Sequence, residues 1–126
     1  MKLNPDCVRD ILISIEEYPE PMELYLNEFS KRLPQYSLKE IYYCCSRLYE
    51  GGYINFEDLT NGTYHSVIIG DLTFIGHEFL QKIKNDNTWS KTKSIATKIG
   101  SFSIDVISQI AVNVITQLIS QQLPPM

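Results

Sequence analysis

Tyr36, Lys39, Tyr43 and Arg47 lie along the start and outer side of one helical stretch, where they mix cations with aromatic hydroxyls. Such a set can pair with guanine edges and contact phosphate or base, so these four are the candidate DNA-binding residues. Glu40, in their midst, dilutes the positive charge. The other reactive side chains support less chemistry. Cys44 and Cys45 are adjacent, and helical neighbours point about 100° apart, so the reading is a core thiol at 45 beside a half-exposed one at 44, not a redox pair. His65 and His77 have no Cys, Asp or His partner at ligand spacing, so no metal and no cofactor is expected. The chain also lacks a Ser-His-Asp set, a phosphate loop and a nucleotide fingerprint, and it reads as a protein that is not an enzyme.

The net charge of −4 is unevenly divided. Residues 1–72 hold six Lys/Arg against twelve Asp/Glu, whereas residues 73–126 hold five Lys against three acids. A nucleic-acid binder concentrates cations where it meets phosphate, because releasing counterions supplies much of its affinity. Strong non-specific DNA binding is therefore not expected. Lys82, Lys84, Lys91, Lys93 and Lys98 form a second basic zone, read as a solvated face, and Trp89 beside them as a packing anchor. With 44% apolar and 21% charged residues, the composition is that of one core with an appendage. The first residues form an amphipathic, acid-bearing helix rather than a leader, and three cysteines make no disulfide framework, so a cytoplasmic location with reduced thiols is expected.

These side chains need elements to hold them. Asn4 and Pro5 open a first helix that Tyr18-Pro19-Glu20-Pro21 stops, and an extended stretch or turn follows. A short second helix is expected over 26–33. Ser37-Leu38-Lys39-Glu40 is a capping box opening a third helix, which runs to Glu50 with Leu38, Ile41, Tyr42, Cys45, Leu48 and Tyr49 as its inner stripe and ends at Gly51-Gly52. Tyr53, Ile54 and Phe56, an Asn61-Gly62 turn, and Tyr64 to Ile69 then make a hairpin, the wing. Thr73 caps a further helix with Ile75, Phe79, Leu80 and Ile83 on its apolar face, Asn85-Asp86-Asn87 interrupts it, and a short helix around Trp89, Ala96 and Ile99 closes at Gly100.

The longest helix runs over 104–120 and bears no charge after Asp105. Its stripe of polar residues spoils a membrane span, which needs about 20 mostly apolar residues. Ile107, Ile110, Ala111, Val114, Ile115, Leu118 and Ile119 cover the opposite side. That face is broader than one small domain needs, and a homodimer interface through these seven residues is expected. The division is a winged-helix domain over 1–86 and C-terminal helices over 87–121, and the fold class is α+β, mainly α, a winged helix-turn-helix with a β-hairpin wing and a C-terminal helical extension.

Four segments, Asn4–Leu12, Tyr36–Tyr43, Asp71–Leu80 and Trp89–Lys93, resemble the YjcQ-like and related winged-helix proteins of Gram-positive bacteria and their phages. The Leu72-Thr73-x-x-Gly76 step is also similar to that of MarR-type regulators, where it opens the helix after the wing. The resemblance implies a winged helix in a phage or prophage setting, and the MarR likeness implies sequence-specific DNA binding. MarR-type wings carry arginines, whereas no Lys or Arg occurs here between Arg47 and Lys82. The sequence thus points first to a small, phage-derived, dimeric DNA-binding regulator. The alternative is a protein-interaction module or phage accessory protein that uses the fold without DNA. A helix lying on a membrane is the weakest reading, because its polar face lacks Lys and Arg.

Overall fold

The first helix starts where the sequence provides a cap. The Asn4 side chain accepts hydrogen bonds from the backbone N–H groups of Asp6 and Cys7 at 3.0 and 3.3 Å, and α1 runs Pro5–Glu17. In this computed structural model, which describes residues 1–59 and 66–124, α1 is followed by β1 (Glu23–Tyr25), α2 (Leu26–Ser30), α3 (Leu38–Glu50), β2 (Ile54–Asp58), β3 (Val67–Leu72), α4 (Phe74–Ile83), α5 (Asp86–Ile99) and α6 (Ile104–Gln122). The Asn61-Gly62 turn, Tyr64 and His65 lie outside the described residues. The chain divides into two units, Met1–Glu78 and Phe79–Met126, with the division inside α4.

In the first unit the fold is α+β with a winged-helix-like order of elements. The sheet is antiparallel with strand order β1-β3-β2, and Leu24 and Phe56 both lie opposite Ile69. Three helices supply the apolar surface for one side of it. Val8, Ile11, Leu12 and Ile15 of α1, Leu26 and Phe29 of α2, and Ile41, Cys44, Cys45 and Leu48 of α3 are buried, as are Ile54, Val67 and Ile69 of the strands. The α3 stripe is rotated from the expected one. Cys44 is buried and Tyr49 is 50% exposed, because α1 covers the Cys44 side while Tyr49 leans on Phe56 at 5.5 Å between ring centroids. Tyrosine suits either side of such a boundary, so its spacing alone does not locate the face.

The end of α3 is a complete Schellman turn. Gly52 N–H donates to Tyr49 O at 3.0 Å and Tyr53 N–H to Leu48 O at 2.9 Å, with Gly52 at φ +82°. The chain returns to this point after β3. Thr73 N–H donates to Tyr53 O at 3.0 Å, the Thr73 hydroxyl donates to Gly52 O, and the Thr73 Oγ1 accepts from Gly76 N–H at 3.1 Å. A Cβ on Gly76 would collide with the Tyr53 carbonyl. The Leu72-Thr73-x-x-Gly76 step is thus a backbone junction. Phe79, Leu80 and Ile83 of α4 are buried, but Ile75, expected beside them, is 55% exposed.

The second unit holds α5 and α6. The Asn85 side chain accepts from Thr88 N–H at 3.0 Å, so the Asn85-Asp86-Asn87 stretch caps and begins α5 rather than separating two short helices, and Gly100 at φ +83° ends it. Ala96 of α5 packs with Ile110 and Val114 of α6, and Val106 and Leu118 rest against that cluster. Trp89 is buried, with the Lys93 ammonium 5.7 Å from its ring centroid.

The Gly76 junction sets an expected outcome. Gly76→Ala should destabilise the protein by about 1–3 kcal/mol, the usual cost of forcing a group into packed surroundings. Gly52→Ala should be affected through its positive φ alone, with no collision. Urea unfolding followed by circular dichroism reads both, and a Gly76→Ala protein as stable as the parent would contradict the junction.

Candidate functional site

The outer face of α3 carries the candidate site. Helical spacing brings Lys39, Tyr42, Tyr43, Ser46 and Arg47 to neighbouring turns, and with Met1 they line an open depression of about 270 Å³. Lys39 and Arg47 are exposed and Tyr43 is half-buried. The Arg47 guanidinium lies 5.4 Å from the Tyr43 ring centroid and 3.0 Å from Glu50 Oε1. Both members of that ion pair are half exposed, so it is worth at most about 1 kcal/mol and opens readily. The Tyr42 hydroxyl donates to Asp58 Oδ2 at 2.6 Å, which ties the rim of the depression to β2.

Three of the four expected DNA-binding residues therefore share one surface, and the fourth does not. The Tyr36 hydroxyl donates to Asp10 Oδ2 of α1 at 2.6 Å, and the side chain is partly buried. Burial first, and the Asp10 carboxylate second, push its phenol above the ordinary tyrosine range. Tyr36 is a latch between α1 and the start of α3. Tyr42 and Ser46 join the surface instead, and the signal for Ser46 was its place three residues after Tyr43 and seven after Lys39. Glu40, expected to reach back to its own cap, accepts from the Asn4 side chain at 3.3 Å while the Ser37 hydroxyl accepts from Glu40 N–H at 3.1 Å.

Behind this face lies a buried thiol cluster. Cys7, Cys44 and Cys45 are all free and all buried. The Cys7 thiol and the Asn4 backbone N–H hydrogen-bond to Cys44, which pushes Cys44 down and holds Cys7 up. Burial pushes Cys45 well above the usual thiol range. Cys44 is thus not the half-exposed thiol expected, since α1 lies over it. Among the described residues no group of three His, Cys, Asp or Glu is placed to hold a metal, and no helix is long and apolar enough to cross a membrane. His77 is exposed, and His65 lies outside the described residues.

The expected dimer residues on α6 divide in two. Ile107, Ile110, Ala111 and Val114 are buried within the chain, so they are not a free surface, and Ile115 and Leu118 are partly covered. Ile119 is 53% exposed, and Val112 and Leu123, at steps of seven and four from it, are exposed as well. A broad apolar face on this helix serves its own unit first.

Comparison with known proteins places the chain among relatives. A family model described as a hypothetical protein, DUF2513, matches residues 2–103. The chain belongs to the DUF2513 family. This is the family identified, rather than the YjcQ-like one that the sequence segments resemble. A Haemophilus influenzae protein described as uncharacterized is 31% identical to this DUF2513 member over 121 residues, covering 95% of this chain and 100% of its own. No solved structure matches.

The thiol cluster gives a pH dependence with a defined sign. The folded state raises the Cys45 value, so its stabilising contribution is complete below about pH 8.5, the unfolded thiol's value, and declines as pH rises above it. Unfolding free energy should fall by up to about 1.4 kcal/mol per pH unit from this residue between pH 8.5 and 10, and Cys45→Ala should flatten the slope. A parent and variant with equal slopes in urea titrations would show that Cys45 is not held neutral.

Proposed function

We propose that this DUF2513 protein is a small DNA-binding regulator that reads base edges with the outer face of α3. The observation that carries the reading is the grouping of Lys39, Tyr43, Ser46 and Arg47 in one open depression on the exposed side of the helix that, in a winged-helix arrangement, enters the major groove. Lysine and arginine there can pair with guanine, and serine and tyrosine can bond phosphate or base. Arg47 is released from Glu50 at small cost. Residues 1–78 carry thirteen acids against six cations, so few phosphate contacts are available and affinity must come from base readout. That same excess of acid supports a second reading, a protein-interaction module that uses this depression for a partner's side chains.

Selection from random duplexes separates the two. A motif should be enriched, and Lys39→Ala with Arg47→Ala should weaken binding to it by roughly 1–3 kcal/mol per lost base contact, while stability changes little because both side chains are exposed. Selection that enriches no motif, or a site that the double variant binds as tightly as the parent, would assign the depression to a protein partner.

The regulator is further proposed to be a homodimer, with its seam on Val112, Ile119 and Leu123 rather than on the buried side of α6. Aliphatic surface left in water costs about 25 cal/mol per Å², and no charge on α6 after Asp105 opposes pairing with a copy of itself. Light scattering should report a dimer for the parent and a folded monomer for Ile119→Glu; a parent that stays monomeric at high micromolar concentration rules the seam out.

A further inference from the structure

We propose that the Phe79–Met126 unit carries a docking groove for an acidic, amphipathic segment of a partner protein. Two depressions of about 210 and 570 Å³ adjoin on this unit and share Lys91 and Leu118 in their linings. Lys82 and Lys91 supply the cations, and Ile95, Val114, Ile115 and Leu118 supply aliphatic surface. Among the described residues no carboxylate lines either depression. Charge over the unit points the same way, with five lysines against Asp86 and Asp105.

The mixture of groups decides what kind of occupant fits. Val114 belongs to the packed cluster with Ala96 and Ile110, and Leu118 rests on that cluster, so the apolar floor is held in place before anything binds. A phosphate backbone would use the lysines and gain nothing from that floor. A helix or extended peptide with leucine-like side chains on one edge and carboxylates on the other would use both, the aliphatic groups for affinity and the Lys82 and Lys91 ammoniums for orientation and encounter. The Lys82 ammonium donates to Ser108 at 3.3 Å and retains protons for a second acceptor. This inference does not depend on the α3 reading, because none of its residues lies in the first unit.

The test is a selection on the full-length protein from a phage-displayed library of random peptides. Enriched peptides should combine Asp or Glu with Leu, Ile or Phe at three- and four-residue steps. By fluorescence anisotropy they should bind at least tenfold more weakly to Lys82→Glu/Lys91→Glu and to Ile95→Ser, and equally well to Lys39→Ala/Arg47→Ala. If the charge-reversed protein loses its helical circular dichroism, Lys82→Gln/Lys91→Gln replaces it with the same expectation. Enrichment without acidic residues, or no enrichment above background, overturns the proposal. So do peptides indifferent to the lysine changes. Random-sequence duplex that displaces the peptides and loses affinity with the same two lysines would make the surface a phosphate track instead.

Discussion

The start of α4 can meet the turn that ends α3 only because position 76 carries no Cβ, and that approach pins the beginning of β2 to the end of β3. Gly76 lies against the Tyr53 carbonyl, Thr73 bonds to Gly52 and Tyr53, and Tyr53 is itself the last residue of the Schellman turn that ends α3. Leu48, Tyr49, Gly52, Tyr53, Thr73 and Gly76 thus share one knot of hydrogen bonds, three between backbone groups and two through the Thr73 hydroxyl, at the point where strand β2 begins and β3 ends. With β2 and β3 fixed there, the pairing of Ile54 with Leu72 and of Phe56 with Ile69 follows, with an irregularity between them. Gly70 takes part in the same economy of space, since a side chain there would press on Asn55 of the neighbouring strand.

The direction in which α3 presents its outer face is set from its other side. The Asn4 side chain donates to Glu40, the Cys7 thiol hydrogen-bonds Cys44, and Asp10 accepts from Tyr36, so the cap of α1 and two positions along it, at three-residue steps, hold α3 and the residue before its cap. These contacts rotate α3 about its axis until Ile41, Cys44, Cys45 and Leu48 point inward and Lys39, Tyr43 and Arg47 point out. Two of the three links are polar and partly buried, where an orphaned partner costs more than the bond itself contributes. They therefore specify a single rotation more than they add to total stability. A tyrosine that looked like a DNA contact is spent on this, and a cysteine that looked half-exposed is enclosed by it.

Local signals were legible in the sequence wherever a single residue does one physical job. Asn4 and Ser37 cap helices, Gly52 takes a left-handed conformation, and Leu72-Thr73-x-x-Gly76 marks the junction after the hairpin. Signals that depend on a neighbour are less legible. The α3 stripe shares Ile41, Cys45 and Leu48 with the expected one but takes in Cys44 and leaves out Tyr49, because tyrosine is at home on either side of the boundary and only α1 decides it. Asn85-Asp86-Asn87 reads equally as a break or as a cap, and its side-chain bond to Thr88 N–H makes it a cap. The seven aliphatic residues of α6 were legible as one apolar face, but how much of that face α5 would cover was not. On the candidate site, spacing found Lys39, Tyr43 and Arg47 and passed over Ser46, whose small hydroxyl carries no signal by itself.

Charge has the largest bearing on how the α3 face would act. Thirteen acids against six cations give the first unit a net repulsion for a polyanion, Lys39 and Arg47 are the cations on the α3 face, and Arg47 is itself paired with Glu50. A protein so charged gains little from an arbitrary duplex, because the counterion release that drives non-specific binding scales with the number of phosphates neutralised. Discrimination rests on the difference between right and wrong partners, and acids that every duplex meets alike lower both affinities and leave that difference to the base contacts. On the same arithmetic, the acids would lower the affinity of the α3 face for any nucleic acid, and whatever binding remained would have to be carried by a few base contacts.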